Sequence, residues 1–254
     1  MTGNDQRNRK IKCMIDAHRN SILSCKGAND KDLIIYDGII SAGDKTPDIL
    51  YLLKEPNDSR NSKKGTESWM HDEASFVDQI RSEIESGKAL SSWGNLCFWT
   101  KAYEDIKNQT PHSFQHPEVQ NCGDILNTVA FVNIKKVAGA EETKDSEFNK
   151  TVNNPECQQL IRDEVELIQP KIVICCGTYD YAKKIFGMKS EQDPLCCGAE
   201  YFIYAHNENS FCVVDFLHPS CRVKRQATYA YAKEVFTALL SKNSRGSFIY
   251  VKLH

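Results

Sequence analysis

Three polar side chains interrupt apolar runs of this 254-residue chain where those runs end. Glu55 follows DILYLLK, Asn133 falls near the end of TVAFVNI, and His218 follows FCVVDFL. Brought to one edge, a carboxylate can orient a water or offset a cation, an amide can read a planar amide-like edge, and an imidazole can stabilise a leaving anion. Each has a plainer reading when taken singly. A strand-end Glu is commonly solvated or paired, a strand-end His is commonly structural, and a lone amide must be satisfied by neighbours or by a ligand.

The elements that would position them are buried strands. Ile49 to Leu53 is five apolar residues in a row, stopped by Lys54, Glu55, Pro56 and Asn57, which reads as a strand buried on both faces of a parallel sheet. Similar runs near 129, 172 and 213 alternate with stretches of helical periodicity, over about 73–86, 93–107, 155–168 and 222–240. TYDYAKKIFG reads as a helix capped by Thr178 or Asp180 and stopped by Gly187. This alternation predicts one α/β domain over 1–254, with a mainly parallel four-stranded central sheet and helices on both faces. Residues 1–30 form a helical N-terminal extension, DLIIYDGII a short strand or hairpin arm, YFIYA a strand before the turn HNENS, and 243–254 a tail with an edge strand. Ligands of such sheets bind beyond the carboxyl ends of the strands, which is where Glu55, Asn133 and His218 fall.

A formal charge of -2 excludes a globally basic nucleic-acid binder, so any phosphate contact has to come from local cations. One such set is Ser220, Arg222, Lys224 and Arg225 at the start of the last helix; another is Arg60 with Lys63 and Lys64 in a polar loop, alternatively a solvated surface loop. No run approaches the ~20 apolar residues of a membrane span, and the amino-terminal residues lack a signal-type apolar core, so a cytoplasmic protein is expected. The eleven cysteines include the doublets Cys175/Cys176 and Cys196/Cys197 but no C-x-x-C, which favours reduced, mostly buried thiols over a metal site. His112 and His116 lie in a Pro-flanked loop rather than on one helix face, and no metal is expected there either.

In ordered segments the chain resembles the uracil-DNA glycosylase superfamily, especially its iron-sulphur branch. LLKEPN, in which Leu53 to Asn57 carry the match, resembles the motif that ends the first strand of that family. AFVNIKK, with Asn133, resembles its strand Asn followed by a basic residue. CQQLIRDEVELIQPKIVICCG resembles its helix, Pro-Lys, strand and Gly, and FLHPS its closing His-Pro-Ser. The similarity spans about Asp48 to Leu240.

The resemblance implies a three-layer α/β/α sandwich that flips a nucleotide out of DNA and cleaves its N-glycosidic bond through an oxocarbenium-like sugar, releasing the base as an anion. Glu55 and His218 would be catalytic, Glu55 toward water and sugar and His218 as donor to the base oxygen that gains charge. Asn133 would hydrogen-bond the pyrimidine edge, with Lys54 and Asn57 beside it and Trp69 or Phe76 stacking on the base, although core packing is the other reading of both aromatics. The partner would be DNA, the protein a monomer, and its role repair or attack on foreign DNA with modified bases. Leu53 and Asn57 stand where relatives carry glycine, so the base would be uracil or another modified pyrimidine. The cluster branch has an N-terminal C-x-x-C and a Cys after the strand Asn, where this chain has Lys135, Lys136 and Val137, and only Cys157 falls at a ligand position. No cluster or other cofactor is therefore expected. Two further classes stand beside this one: a catalytically silent DNA- or protein-binding member, and an unrelated nucleotide-binding α/β protein, which would lack both usual glycine-rich phosphate motifs.

Overall fold

The computed structural model describes residues 2–26, 34–41, 43–56, 76–86, 89–109, 122–137, 145–188 and 192–241. Its strands are β1 (Gly38–Ile39), β2 (Ile49–Leu53), β3 (Val129–Asn133), β4 (Ile172–Cys176), β5 (Tyr201–His206) and β6 (Asn209–Phe216). They form a six-stranded sheet in the order β1-β3-β2-β4-β6-β5. The pairs β2/β3, β2/β4 and β4/β6 are parallel, while β1 and β5 lie antiparallel at the two edges.

The expected four-stranded sheet is thus corrected to a six-stranded mixed one. The four apolar runs supply the inner strands, and the two short arms are recruited as edges. On one side the reason is the turn: His206 pairs with Asn209 across Asn207 and Glu208, and Asn207 adopts φ 53. A two-residue connection with a left-handed first residue makes a tight hairpin, so β5 must add antiparallel to β6. The proposed tail strand lies outside the described residues.

Helices cover both faces. On one pack α3 (Phe76–Glu85), α4 (Ala89–Lys107), α5 (Cys122–Leu126) and α9 (Arg225–Ser241); on the other pack α1 (Gly3–Ala17), α2 (Arg19–Lys26), α6 (Asp145–Asn153), α7 (Pro155–Ile168) and α8 (Tyr179–Phe186). The strands feed both layers alternately. Tyr51, Phe131, Ile174 and Val214 join the first core, and Leu50, Leu52, Val132, Val173 and Val213 the second. This period-two division is why the strands read as unbroken apolar runs.

Several boundaries differ from expectation. The N-terminal extension splits into α1, opened by a capping box between Thr2 and Asp5, and α2. Helix α7 begins at Pro155 because the Asn154 side chain accepts from the N–H groups of Glu156 and Cys157. In α8 neither proposed cap is used: Thr178 stands at the cap position but makes no side-chain cap bond, its hydroxyl donating instead to the Leu52 carbonyl at 2.8 Å. The charged insert before α7 contains α6, which its polar composition concealed; Phe148 and Val152 anchor it to the core. Buried Cys25, Cys157, Cys175 and Cys176 form no disulfide, whereas Cys97 is disulfide-bonded, which corrects the expectation of reduced thiols at that position. No described helix is long and apolar enough to cross a membrane.

Just past β3, Lys136 is 2% exposed, with its Nζ 2.5 Å from Asp37 Oδ2 and 2.6 Å from Glu164 Oε2. This joins the residue before β1, the residues after β3 and the middle of α7. Burial pushes the Glu164 carboxyl up to about 8; Lys136 pulls it down by less, and Asp37 adds repulsion. Lys136 is held above its ordinary value because the two carboxylates outweigh its own burial. A carboxyl raised on folding binds its proton more tightly in the native state, so its contribution is greatest below 4.5 and is lost as pH rises through about 8. Glu164→Gln should therefore gain melting temperature relative to wild type as the pH is raised across that window. A gap between the two melting curves that stays constant with pH would contradict the assignment.

Candidate functional site

The carboxyl ends of the four inner strands lie side by side. Register pairs Leu53 with Asn133, Leu52 with Cys175 and Cys176 with Phe216, so the tips follow one another in the order β3, β2, β4, β6. The β2/β3 ladder continues past the strand ends, with the N–H groups of Ile134 and Lys135 donating to the carbonyls of Leu53 and Lys54 at 2.9 Å. Beyond β4, Gly177 turns with φ +67, and a Cβ there would meet His218 Cδ2 at 3.6 Å, so the imidazole lies against this turn. One edge accordingly carries Asn133, Glu55, Gly177 and His218.

Glu55 is clamped. Its Oε2 accepts from Lys135 Nζ at 2.7 Å, and the same ammonium reaches Glu147 Oε2 of α6 at 3.2 Å. The side chains of Glu55 and Lys135 are both 4% exposed. The second oxygen, Oε1, is buried and has no hydrogen-bond partner. A buried carboxylate oxygen without a donor is expensive unless a water or ligand supplies one.

His218 is presented differently. Its Nδ1 lies 2.7 Å from the Ser220 hydroxyl and accepts the Ser220 backbone N–H at 3.2 Å. A backbone N–H can only donate, so Nδ1 is the acceptor and the neutral ring carries its proton on Nε2. Loss of solvent on part of the ring, followed by the charge of Lys54, lowers the His218 pKa from its ordinary value, which favours that neutral state. The loop is held by Asn95 of α4, whose Nδ2 donates to the Pro219 carbonyl at 2.6 Å, and by the Cys221 N–H donating to the His218 carbonyl at 2.9 Å.

Asn133 is fully buried and already committed. Its backbone N–H donates to Asp37 Oδ2 at 2.7 Å and its Nδ2 to Asp37 Oδ1 at 2.6 Å, while its Oδ1 has no partner. Lys54 extends its Nζ over the rings of Phe148 and Tyr181, at 5.7 and 5.9 Å from their centroids.

The proposed phosphate-contacting residues divide. Arg222 and Lys224 are exposed but precede α9 rather than occupying its first turn, because the helix starts at Arg225. Arg225 packs inward instead, its guanidinium close to Gly94 and over the Phe98 ring at 5.7 Å. Ser220 bonds His218. Asn57, Trp69 and Arg60, as well as His112 and His116, lie outside the described residues, and of Phe76 only its place at the start of α3 is described. Sequence reasoning missed Asp37, Lys135, Glu147 and Asn95. The one signal for the first two was a lysine pair directly after a buried strand.

Among the described residues no cluster of three or more His, Cys, Asp or Glu could hold a metal ion. A separate recess of about 190 Å³ lies around Asp48 and Thr128, at the opposite ends of β2 and β3. No protein-family model matches the chain, and no curated protein matches it.

The coupling between Lys54 and His218 can be read directly. In an NMR titration the His218 ring should protonate below the ordinary value of 6.5, and Lys54→Met should move the midpoint upward by removing the opposing charge. An unchanged midpoint would mean that Lys54 does not act on the ring.

Proposed function

We propose that this chain is a DNA glycosylase of the uracil-DNA glycosylase kind, hydrolysing the N-glycosidic bond of a flipped-out uracil or other modified pyrimidine and leaving an abasic site. The observation that carries the reading is the pairing, along one sheet edge, of a buried carboxylate with one unpartnered oxygen and an imidazole whose Nδ1 accepts from the Ser220 N–H, which puts the ring proton on Nε2. In this reading the finer architecture is the three-layer sandwich with four parallel inner strands, in a single-domain, cytoplasmic monomer.

The chemistry divides between the two groups. Glu55 Oε1 orients the attacking water and offsets positive charge on the sugar. His218 donates from Nε2 to the base oxygen that becomes negative, and a neutral donor is suited to this because it needs no prior protonation. Asn133 Oδ1 accepts from the base edge once the groups covering it withdraw. Ser220 sets the His218 tautomer, and Arg222 and Lys224 meet phosphates, with Arg60 as a further candidate. Flipping costs a few kcal/mol, roughly, offset by stacking on an aromatic such as Trp69 or Phe76 and by contacts from Asn57 and Lys54 in the pocket. Arg225, occupied against α4, is left out of the phosphate set.

A second reading, a catalytically silent DNA- or protein-binding member, is favoured by one feature: Asn133 and Glu55 are each engaged with protein groups, Asp37 and Lys135.

Duplex and single-stranded oligonucleotides bearing uracil, hypoxanthine, or hydroxymethylated or glucosylated cytosine, treated with protein and then alkali, separate the two. Scission is expected on at least one member, falling by about 10²-fold or more in Glu55→Gln and in His218→Ala. Scission that survives both changes places the chemistry elsewhere, and none on any member leaves the binding reading. Arg222→Ala and Lys224→Ala should weaken DNA binding evenly across sequences, each lowering the salt slope by about 1. A sequence-dependent loss would mean base contact instead.

A further inference from the structure

Two thiols of this chain are buried outside both apolar cores. Cys25, in the last turn of α2, and Cys157, in the first turn of α7, are 5% and 2% exposed, and neither is among the residues that pack the two faces of the sheet. Their sulfurs instead face each other at 3.8 Å, between positions 132 residues apart. Cys175 and Cys176 show the contrast: adjacent on β4, they enter opposite cores and cannot meet. The setting of Cys25 is polar. Its thiol donates to the Lys150 carbonyl of α6 at 3.7 Å, and Asn154 Nδ2 donates to its sulfur at 3.3 Å. Asn154 is fixed there because its Oδ1 caps α7. A thiol that merely fills space needs no donor on its sulfur, whereas a donor there favours the thiolate, which is the reactive form.

We propose that Cys25 and Cys157 are a peroxide-responsive dithiol, whose disulfide staples the end of α2 to the start of α7. The inference is independent of the glycosylase reading. The Cys25 thiolate attacks a peroxide oxygen, so that an S–O bond forms, the O–O bond breaks and the departing oxygen leaves as water with the proton that Cys25 gave up. The Cys157 sulfur then attacks the Cys25 sulfenic acid: the S–S bond forms, the S–O bond breaks, and the hydroxyl leaves as water with the Cys157 proton. Two thiols are oxidised and one peroxide is reduced, with no other reagent. The order of attack follows from the surroundings. Burial, and after it the neighbouring Cys25, push the Cys157 thiol up, and conversion of Cys25 to a neutral sulfenic acid removes the second of these causes before Cys157 has to act.

The sulfurs need to approach by only about 1.8 Å to reach bonding distance, a shift that the ends of two helices absorb more readily than paired strands do. The staple forms beside the candidate site. Cys25 touches α6 through the Lys150 carbonyl, and α6 carries Glu147, which shares the Lys135 ammonium with Glu55. Oxidation removes the Cys25 proton and with it the bond to that carbonyl, so α2 exchanges a contact with α6 for a covalent tie to α7.

The test treats the reduced, folded full chain with one equivalent of hydrogen peroxide, then acid-quenches, alkylates in denaturant and maps the peptides without reduction. A Cys25–Cys157 cross-linked peptide is expected, the intact protein losing the mass of two hydrogens. Closing so long a loop should raise the melting temperature by about 5 °C or more, and dithiothreitol should reverse both changes. In Cys157→Ser the reaction should stop at the Cys25 sulfenic acid, which dimedone traps, and in Cys25→Ser the Cys157 thiol should be recovered alkylated. Recovery of both wild-type thiols alkylated while exposed Cys13 or Cys196 is oxidised overturns the pair, and so does a cross-link that appears only after unfolding. Should either variant not fold, the wild-type peptide map and its melting shift still decide.

Discussion

A lysine enclosed by protein is tolerated only where opposite charge meets it at hydrogen-bond distance, and the carboxyl edge of this sheet is built on that requirement at Lys136. Its two carboxylates come from the approach to β1 and from the middle of α7, so one ammonium fixes an edge strand, the end of β3 and a helix relative to one another. Strand β1 has only two residues and would be held weakly by its own ladder. Because Asp37 also binds Asn133, the constraint that seats the edge strand also orients the amide.

Lys135 repeats the device one residue earlier. It spans Glu55 and Glu147 as Lys136 spans Asp37 and Glu164, so consecutive lysines secure the two ends of the site by separate ion pairs. Lys135 reaches Glu147 of α6 and Lys136 reaches Glu164 of α7, so the adjacent cations do not compete for one carboxylate. The result is a carboxylate and an amide on neighbouring strand tips, each fixed through one group and each with one oxygen unpartnered. Groups fixed in advance need no reorganisation when charge develops beside them, which is the property that makes such an edge suited to chemistry.

What the sequence disclosed follows from this physics. The inner strands were legible because burial on both faces demands unbroken apolar runs, and α7 because its apolar residues recur at helical spacing from about Pro155. The arm DLIIYDGII was legible as a strand, although only Gly38 and Ile39 of it form β1, whereas α6 was not, since a polar helix anchored by Phe148 and Val152 carries little periodicity. Glu55 and His218 were legible as polar groups ending apolar runs. Asp37, Glu147 and Asn95 were hidden because their roles depend on long-range partners: Asp37 meets Asn133 across 96 positions, and Asn95 meets Pro219 across 124. Lys135 and Lys136 misled in another way, since lysine is ordinarily a surface residue and these two are almost fully enclosed.

The two proposed catalytic groups are supported in opposite ways, and the difference suits the charges they would face. Glu55 is nearly enclosed beside a buried cation, which keeps a negative group in place where a sugar would become positive. His218 stands on an exposed turn, tied by Asn95 and Ser220, with Lys54 close enough to disfavour its protonated form. That same charge of Lys54 favours an anion near the ring. Lys54 thus disfavours a second proton on the imidazole while favouring the negative base the imidazole would serve, so that one cation can set the donor's protonation state and assist the departing group together.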